Sequence, residues 1–239
     1  MTLVLHQFDR AYGLPNASPF CMKLETWLRL AGVPYELPPK VDFRKAPKGK
    51  FPYVELDGRT IADSNHIIDA LAARHGDPLD GWMDARTRAH ALAFLRLIEE
   101  NLYWALVHAR WIDDAAFATT KKTYFGGMPF PLRVIVPIIA RRKVRQQVWG
   151  HGMGRHTPEE IATIGAKDIA AIAAQLGDRP YLFGDRPTTT DCSAFATLAN
   201  LVYTPIPGAL RDAARAHANL VALCERMWVK AFPEMPVPK

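Results

Sequence analysis

Ser18 and Cys21 stand where the first predicted strand leads into the first predicted helix. The strand covers residues 2–8, and apolar residues at helical spacing then continue to a stop at Gly32. A helix N-terminus favours a negative charge, so the pKa of a thiol drops there. Ser18 can donate a hydrogen bond to a thiolate that a ligand brings to this position. The alternative is structural, with Ser18 serving only as the N-cap of the helix.

Three other side chains near this turn offer alternatives to Ser18. Tyr12 and Asn16 lie in the preceding loop and can donate from a hydroxyl or an amide. Cys21 supports a different hypothesis, a disulfide reductase whose activity depends on this cysteine. Ser18 has no sulfur and cannot form the mixed disulfide that dithiol exchange requires. Ser18 is thus the first candidate for donating to a ligand thiolate, and the other three residues stay as alternatives.

A second group of candidate residues begins a later helix. Asp63 and Ser64 open this helix after a predicted hairpin, whose turn at Asp57 and Gly58 lies between two β-prone runs. The helix N-terminus and the Ser64 hydroxyl suit a carboxylate, whereas Asp63 suits an ammonium group. The alternative is a capping pair without a ligand. Pro52 stands at the beginning of the hairpin.

These residues are positioned by a predicted α/β region, residues 1–77. Its order is β-α-β, a loop, then β-β-α, with residues 33–37 as the second strand. This order predicts a sheet with a parallel core and one antiparallel hairpin. In the first helix, Leu24 and Leu28 share an apolar face, and Lys23 lies away from it with Glu25 and Arg29. Residues 78–83 read as a linker.

The rest of the chain, residues 84–239, is predicted to be all-helical. Its first helix covers residues 86 to about 110. Near the end of this helix stand Tyr103, Trp104, His108 and Trp111. These side chains could line an apolar pocket for a second substrate, although an aromatic stripe is more often part of a core.

Capping residues mark later helices. Thr157 is followed by proline and two glutamates, and Thr188 and Asp191 have the spacing of a capping box. They predict one helix that ends at Leu176 and a core helix after Thr188. A last helix is predicted over residues 219–232.

Residues 121–155 form an unusual insert. A loop rich in glycine and proline precedes an apolar stretch, which ends in a basic run containing Arg141, Arg142 and Lys143. One interpretation is that these three residues contact an anionic membrane surface. The other is a solvated helix end whose positive charges suit the helix dipole.

Composition narrows the class of protein. The 239 residues suffice for one large or two small domains. A formal charge of +6 suits anionic ligands, and we expect no nucleic-acid binding. Three widely spaced cysteines give neither a zinc pattern nor a disulfide framework, so we expect no metal and a reducing, cytoplasmic location. We also expect no signal peptide and no membrane-spanning segment.

Several segments resemble one superfamily. The turn at Ser18 resembles the Cys-Pro-aromatic-Cys turn of thioredoxins and glutaredoxins, with serine in place of the first cysteine. Asp63 and Ser64 look like the acidic-Ser pair with which glutathione transferases bind the γ-glutamyl end of glutathione. Residues 184–191 look like the capping segment of their C-terminal domain. Residues 18–25 and 152–161 are similar to the failed-axon-connections branch, which is related to metaxins.

The resemblance implies a thioredoxin-like domain followed by an all-helical one, with glutathione as co-substrate. It implies a cis bond before Pro52, facing the active-site turn, so that Phe51 can pair with the glutathione backbone as with an added strand. Ser18 would stabilise the thiolate while the sulfur is conjugated to a small apolar electrophile.

The alternative is a non-catalytic binding or interaction protein with the same fold, because fold alone does not settle function. The insert and its basic run would then form the contact surface. The sequence leaves monomer and homodimer open, since the insert can cover or replace the usual dimer surface.

Overall fold

A computed structural model of the chain describes residues 3–238 and places a three-stranded sheet in its first third. The strands are β1 Leu3–His6, β2 Tyr53–Leu56 and β3 Arg59–Ala62, paired antiparallel in that order. The predicted hairpin is confirmed. Its turn residues Asp57 and Gly58 have φ angles of 49° and 79°, as a two-residue hairpin loop requires. Thr2, in the predicted first strand, lies outside the described residues.

The predicted second strand, residues 33–37, is reduced to one parallel bridge, so the parallel part of the sheet is much shorter than predicted. Within this described stretch, Glu36 alone pairs with the sheet, through a parallel bridge to Val4. Two backbone hydrogen bonds of 2.8 and 2.9 Å accompany this bridge. Pro34 and Pro38 flank it and have no N–H to donate, so the ladder does not extend.

Two helices carry the candidate residues of this region. Helix α1 Pro19–Leu30 follows Ser18, and helix α2 Ser64–His75 follows Asp63. Gly32, with φ 67°, lies just beyond the end of α1, as the sequence predicts.

Helix α1 is buried on more sides than its sequence predicts. Lys23 and Glu25, expected away from the apolar face, are each only 1% exposed. Helix α1 packs against α8 Thr189–Val202, a helix whose residues are all buried, and other segments cover its remaining sides. Both charges have partners. Glu25 accepts hydrogen bonds from Gln7 at 2.7 Å and from Tyr35 at 2.8 Å.

The second half of the chain is helical. The predicted long helix is confirmed as an unbroken run of α3, a π-helical segment and α4. The bounds are α3 Ala85–Arg96, π segment Leu97–Leu102, α4 Tyr103–Trp111, α5 Asp114–Phe125, α6 Leu132–His151, α7 Pro158–Leu176, α9 Ala209–Ala216 and α10 Ala218–Ala231. Helix α9 is not predicted from the sequence. Among residues 3–238, none of the helices is long and apolar enough to cross a membrane.

Both predicted helix starts are confirmed, and the structure shows a capping box at each. Thr157 accepts from the Glu160 N–H, and the Glu160 carboxylate accepts from the Thr157 N–H at 2.8 Å. Thr188 and Asp191 make the same exchange at the start of α8. Asp191 also accepts from the Leu182 N–H at 2.8 Å, and these bonds fix the segment that precedes α8.

A buried ion pair joins the α/β region to the helices. Lys23 Nζ lies 2.6 Å from Glu99 Oε1, and the two side chains are 1% and 3% exposed. Asn65 accepts from Lys23 at 2.6 Å and donates to Glu99 Oε2 at 2.8 Å. Ser193 donates to Glu99 Oε1 at 2.8 Å. These four residues tie α1, α2, the π-helical segment and α8 together.

We expect Glu99→Gln to destabilise the fold by about 3–5 kcal/mol, because the ammonium of Lys23 stays buried without a countercharge. Urea unfolding of wild type and variant measures this difference. Glu100→Gln is the matched control, since Glu100 is exposed and its oxygen lies 3.7 Å from Arg96. Its loss should cost less than about 1 kcal/mol. Equal effects of the two substitutions would contradict the role given to the buried pair.

Candidate active site

Ser18 is the N-cap of α1, but its side chain does not cap the helix. The hydroxyl instead lies close enough to the Cys21 thiol to lower the pKa of that thiol. The Ser18 N–H donates to Asn16 Oδ1 at 3.0 Å, and Asn16 Nδ2 donates to the Phe8 carbonyl at 2.6 Å. The buried amide of Asn16 thus supports the loop, and the half-buried Ser18 hydroxyl stands beside a sulfur atom.

The pKa of the Cys21 thiol is raised, whereas a position at a helix N-terminus predicts a lowered one. The side chain is 0% exposed, and this burial raises its pKa to about 12. Hydrogen bonds from the Ser18 hydroxyl and the Phe8 N–H lower the pKa, but their effect is smaller than that of burial. Cys21 is therefore a neutral thiol at physiological pH, and a neutral buried thiol is a poor nucleophile.

Phe51 and Pro52 lie next to the same sulfur. The peptide bond between them is cis. Phe51 and Tyr53 form a buried cluster with Cys21, against which Phe8 packs with its ring centroid 5.1 Å from that of Phe51. Cys21 thus connects the two features, because it lies beside the Ser18 hydroxyl and also packs against Phe51.

Asp63 and Ser64 begin α2, as the sequence predicts. Asp63 Oδ1 accepts from the Asn65 N–H at 2.9 Å and from the His66 N–H at 3.4 Å. Asp63 has a φ of 84°, a backbone conformation that costs a residue other than glycine about 1–3 kcal/mol. Asp63 is exposed, whereas Ser64 is buried. Strain of this kind is concentrated at ligand sites, which fits a binding role for the pair.

Tyr103 and Trp104 lie near the Ser18 turn. The ring of Tyr103 packs edge-on against Phe20 of α1, with 4.7 Å between centroids, and burial raises its pKa to about 12. The Trp104 ring stacks on His151 at 4.7 Å, and the Lys50 ammonium lies 5.8 Å from its centroid. The helical region thus meets the turn through aromatic rings.

Trp111 and His108 lie further along α4. Trp111 stacks on Tyr124 at 6.0 Å, and Tyr124 meets Tyr12 at 5.9 Å. His108 is half-buried, and this burial lowers its pKa. A pocket formed by the four predicted residues Tyr103, Trp104, His108 and Trp111 stays a prediction.

Tyr12 keeps its place as an alternative donor. It sits with Gly13 in a tight turn closed by a 2.9 Å hydrogen bond from the Leu14 N–H to the Ala11 carbonyl. Both turn residues have positive φ, 57° and 74°. The Tyr12 hydroxyl is buried and has no hydrogen-bond partner within the described residues. A ligand in the site could therefore accept a hydrogen bond from it.

Arg110 has a role that the sequence does not reveal. Its buried guanidinium donates to the Ala17 carbonyl at 2.7 Å and to Asn200 Oδ1 at 2.9 Å, and it lies 5.7 Å from the Tyr12 ring centroid. Arg110 thus fixes the backbone immediately before Ser18 to α4 and α8. In the sequence, Arg110 is visible only as a charged residue among aromatic ones, and this pattern does not identify its hydrogen-bond partners.

A cavity of about 570 Å³ lies elsewhere, between α2 and α3. Its lining includes Asp69, Asp80 and Leu92 but none of the predicted site residues. Within residues 3–238 there is also no group of three or more His, Cys, Asp or Glu side chains that could hold a metal ion. The candidate site is therefore the surface around Ser18, Phe51 and Asp63.

Comparisons with known proteins agree with this fold. The glutathione S-transferase N-terminal domain matches residues 19–116, and the glutathione S-transferase C-terminal domain matches residues 165–227. A structure of glutathione S-transferase from Methylobacterium radiotolerans, in complex with glutathione sulfonate, superposes with a TM-score of 0.62. It is 21% identical, and the match covers 100% of this chain and 95% of that one.

Two curated relatives are more similar in sequence. Isoprene-epoxide glutathione S-transferase of Rhodococcus sp. strain AD45 is 33% identical over 94% of this chain and 97% of the relative. Failed axon connections of Drosophila melanogaster is 36% identical over 97% of this chain, which spans 58% of that protein. The chain belongs to the glutathione S-transferase family, with a thioredoxin-like domain followed by a helical one.

We expect all three cysteines of the folded protein to be unreactive towards Ellman's reagent at neutral pH. Cys21, Cys192 and Cys224 are buried free thiols, and burial raises the pKa of each. Because these pKa values are raised, the thiolate fraction stays negligible into mildly alkaline pH. Denatured protein should show three reactive thiols. Rapid labelling of Cys21 in the folded state would favour the reductase hypothesis instead.

Proposed function

We propose that this protein binds glutathione at the Ser18 turn and conjugates it to a small apolar electrophile. The observation that carries the proposal is the position of the Ser18 hydroxyl, at the N-terminus of α1 and beside a neutral sulfur that packs against Phe51. It supports Ser18 as the donor to a second sulfur, that of glutathione. Cys21 is the weaker candidate, because its raised pKa leaves it without a thiolate.

Glutathione is held along its backbone and at its γ-glutamyl end. The N–H and C=O of Phe51 pair with the cysteinyl part of the peptide, as with an added strand. The exposed Asp63 carboxylate pairs with the α-amino group, and the N-terminus of α2 with Ser64 binds the α-carboxylate. The positive φ of Asp63 supports this assignment, because the strain points to a functional constraint.

The Ser18 hydroxyl and the N-terminus of α1 stabilise the glutathione thiolate. The sulfur attacks the electrophilic carbon, and a C–S bond forms as the bond from that carbon to its leaving atom breaks. The leaving atom then takes a proton from water. Tyr103 and Trp104 offer apolar surface beside the turn for the electrophile. The isoprene-epoxide relative, at 33% identity, supports an electrophile of this small apolar class.

A second candidate function is non-catalytic binding on the same fold. Exposed large apolar residues on the insert, among them Phe130, Ile138 and Ile139, favour it, because such a surface is typical of an interaction site. The similarity to Failed axon connections fits either function. For both we propose a cytoplasmic protein, supported by three unpaired cysteines.

Ser18→Ala should lower turnover of glutathione with a small aliphatic epoxide by about 100-fold, since it removes a donor to the thiolate. Glutathione affinity, measured by calorimetry, should change little because the backbone contacts are intact. Tyr12→Phe is the matched control and should keep near wild-type turnover. The reverse pattern, with loss in Tyr12→Phe alone, would assign the thiolate to Tyr12. Wild-type protein that binds glutathione without forming adduct would favour the non-catalytic function.

Asp63→Asn should weaken glutathione binding about tenfold or more, because it removes the charge that faces the ammonium group. Asparagine still caps α2 and tolerates a positive φ, so thermal stability should be nearly unchanged. Asp84→Asn is the control, since Asp84 caps α3 in the same way through a 2.7 Å bond from the Thr87 N–H. Equal calorimetric affinities for both variants would refute the role of Asp63.

A further inference from the structure

Helix α6 and the loop before it expose an apolar patch. Phe130, Ile138 and Ile139 are 75%, 64% and 62% exposed. The patch is completed by three exposed neighbours, which are Leu132, Val134 and Ile135. Solvent-facing aliphatic residues this dense on one helix end are unusual, because hydration of apolar surface is unfavourable.

The opposite side of α6 is firmly attached to the protein. Pro137 and Val148 are buried, and Arg141 donates to the Trp111 carbonyl at 2.9 Å and to the Ile112 carbonyl at 2.6 Å. Arg141 also lies 2.6 Å from Asp114. Arg141 is therefore a structural anchor and does not belong to a free basic surface, which corrects one of the three predicted contact residues. Because this side of α6 is held against the protein, the apolar patch on its other side faces solvent.

The surroundings of the patch are positively charged. Residues 115–158 contain no Asp or Glu, and their eight basic residues are Lys121, Lys122, Arg133, Arg141, Arg142, Lys143, Arg145 and Arg155. Arg142, Lys143 and Arg145 are exposed on the turns of α6 that follow the patch, and Arg133 is exposed between Leu132 and Val134 in the sequence. Among residues 3–238, no ion pair involves Arg133, Arg142 or Lys143.

We propose that the α6 docking face, meaning the apolar patch together with Arg133, Arg142, Lys143 and Arg145, binds the surface of an anionic lipid bilayer. The patch extends about 10 Å along the helix and the basic turns about as far again. Aliphatic side chains enter the boundary between headgroups and acyl chains, and the basic side chains contact anionic headgroups. Exposed Trp149, further along α6, suits the same interface.

Charge favours a bilayer over a second copy of the chain. A second α6 face would bring the same uncompensated basic residues, and the whole chain carries a net charge of +6. An anionic membrane offers negative charge to the basic residues of this face and an apolar layer to its apolar patch. The proposal does not depend on glutathione chemistry, because none of the residues of the α6 docking face belongs to the Ser18 site.

Flotation with phosphatidylglycerol-containing vesicles, compared with phosphatidylcholine vesicles alone, tests the proposal. Wild type should float with the anionic vesicles and stay in solution with the neutral ones, and added salt should weaken binding. Arg142→Glu with Lys143→Glu should weaken binding about 30-fold, since each basic residue near the surface contributes about fivefold. Ile138→Asp with Ile139→Asp should weaken it at least as much.

Lys40→Glu with Lys48→Glu is the matched control, since it changes net charge equally at exposed residues of another segment. It should bind within a few-fold of wild type, and melting curves establish that every variant is folded. Equal losses in the control and the α6 variants would overturn the proposal. So would equal binding to neutral vesicles, or a failure to float. Sedimentation showing self-association that Ile138→Asp abolishes would also overturn it, in favour of a second copy.

Discussion

The ammonium group of Lys23 is the point on which the arrangement of the site depends. It is buried, and a buried charge is tolerated only where an opposite charge and hydrogen bonds surround it. Glu99 supplies the charge at 2.6 Å, and Asn65 supplies a carbonyl at the same distance. Because Lys23 and its two partners belong to three different elements, their contacts fix where α1, α2 and the π-helical segment lie relative to one another.

That constraint explains why the candidate residues converge. Lys23 lies one turn after Ser18 on α1, and Asn65 directly follows Asp63 and Ser64 at the start of α2. The π-helical segment places Glu99 against both, and it leads directly into α4 with Tyr103 and Trp104. Arg110 adds a second attachment through the carbonyl before Ser18. The proposed thiolate donor, the proposed γ-glutamyl site and the aromatic surface are thus held by polar contacts between distant segments.

Local patterns in the sequence predict much of the fold. The Ser18 turn, the Asp57–Gly58 hairpin and both capping boxes depend on residues within a few positions of each other. Such local patterns do not predict contacts between residues that are far apart in the sequence. Lys23 and Glu99 are 76 positions apart, so each alone resembles a surface charge. The same limit explains the raised pKa of the Cys21 thiol, because its burial among residues distant in sequence, such as Phe51, is not visible in the local pattern.

A crystal structure of the complex with glutathione is the most direct test of this account. The account predicts that the glutathione sulfur lies within about 3.5 Å of Ser18 Oγ. It also predicts that the cysteinyl backbone pairs with Phe51 and that the α-amino group meets Asp63. A sulfur beside Tyr12 Oη and away from Ser18, or a ligand that does not touch Phe51 and Asp63, would contradict it.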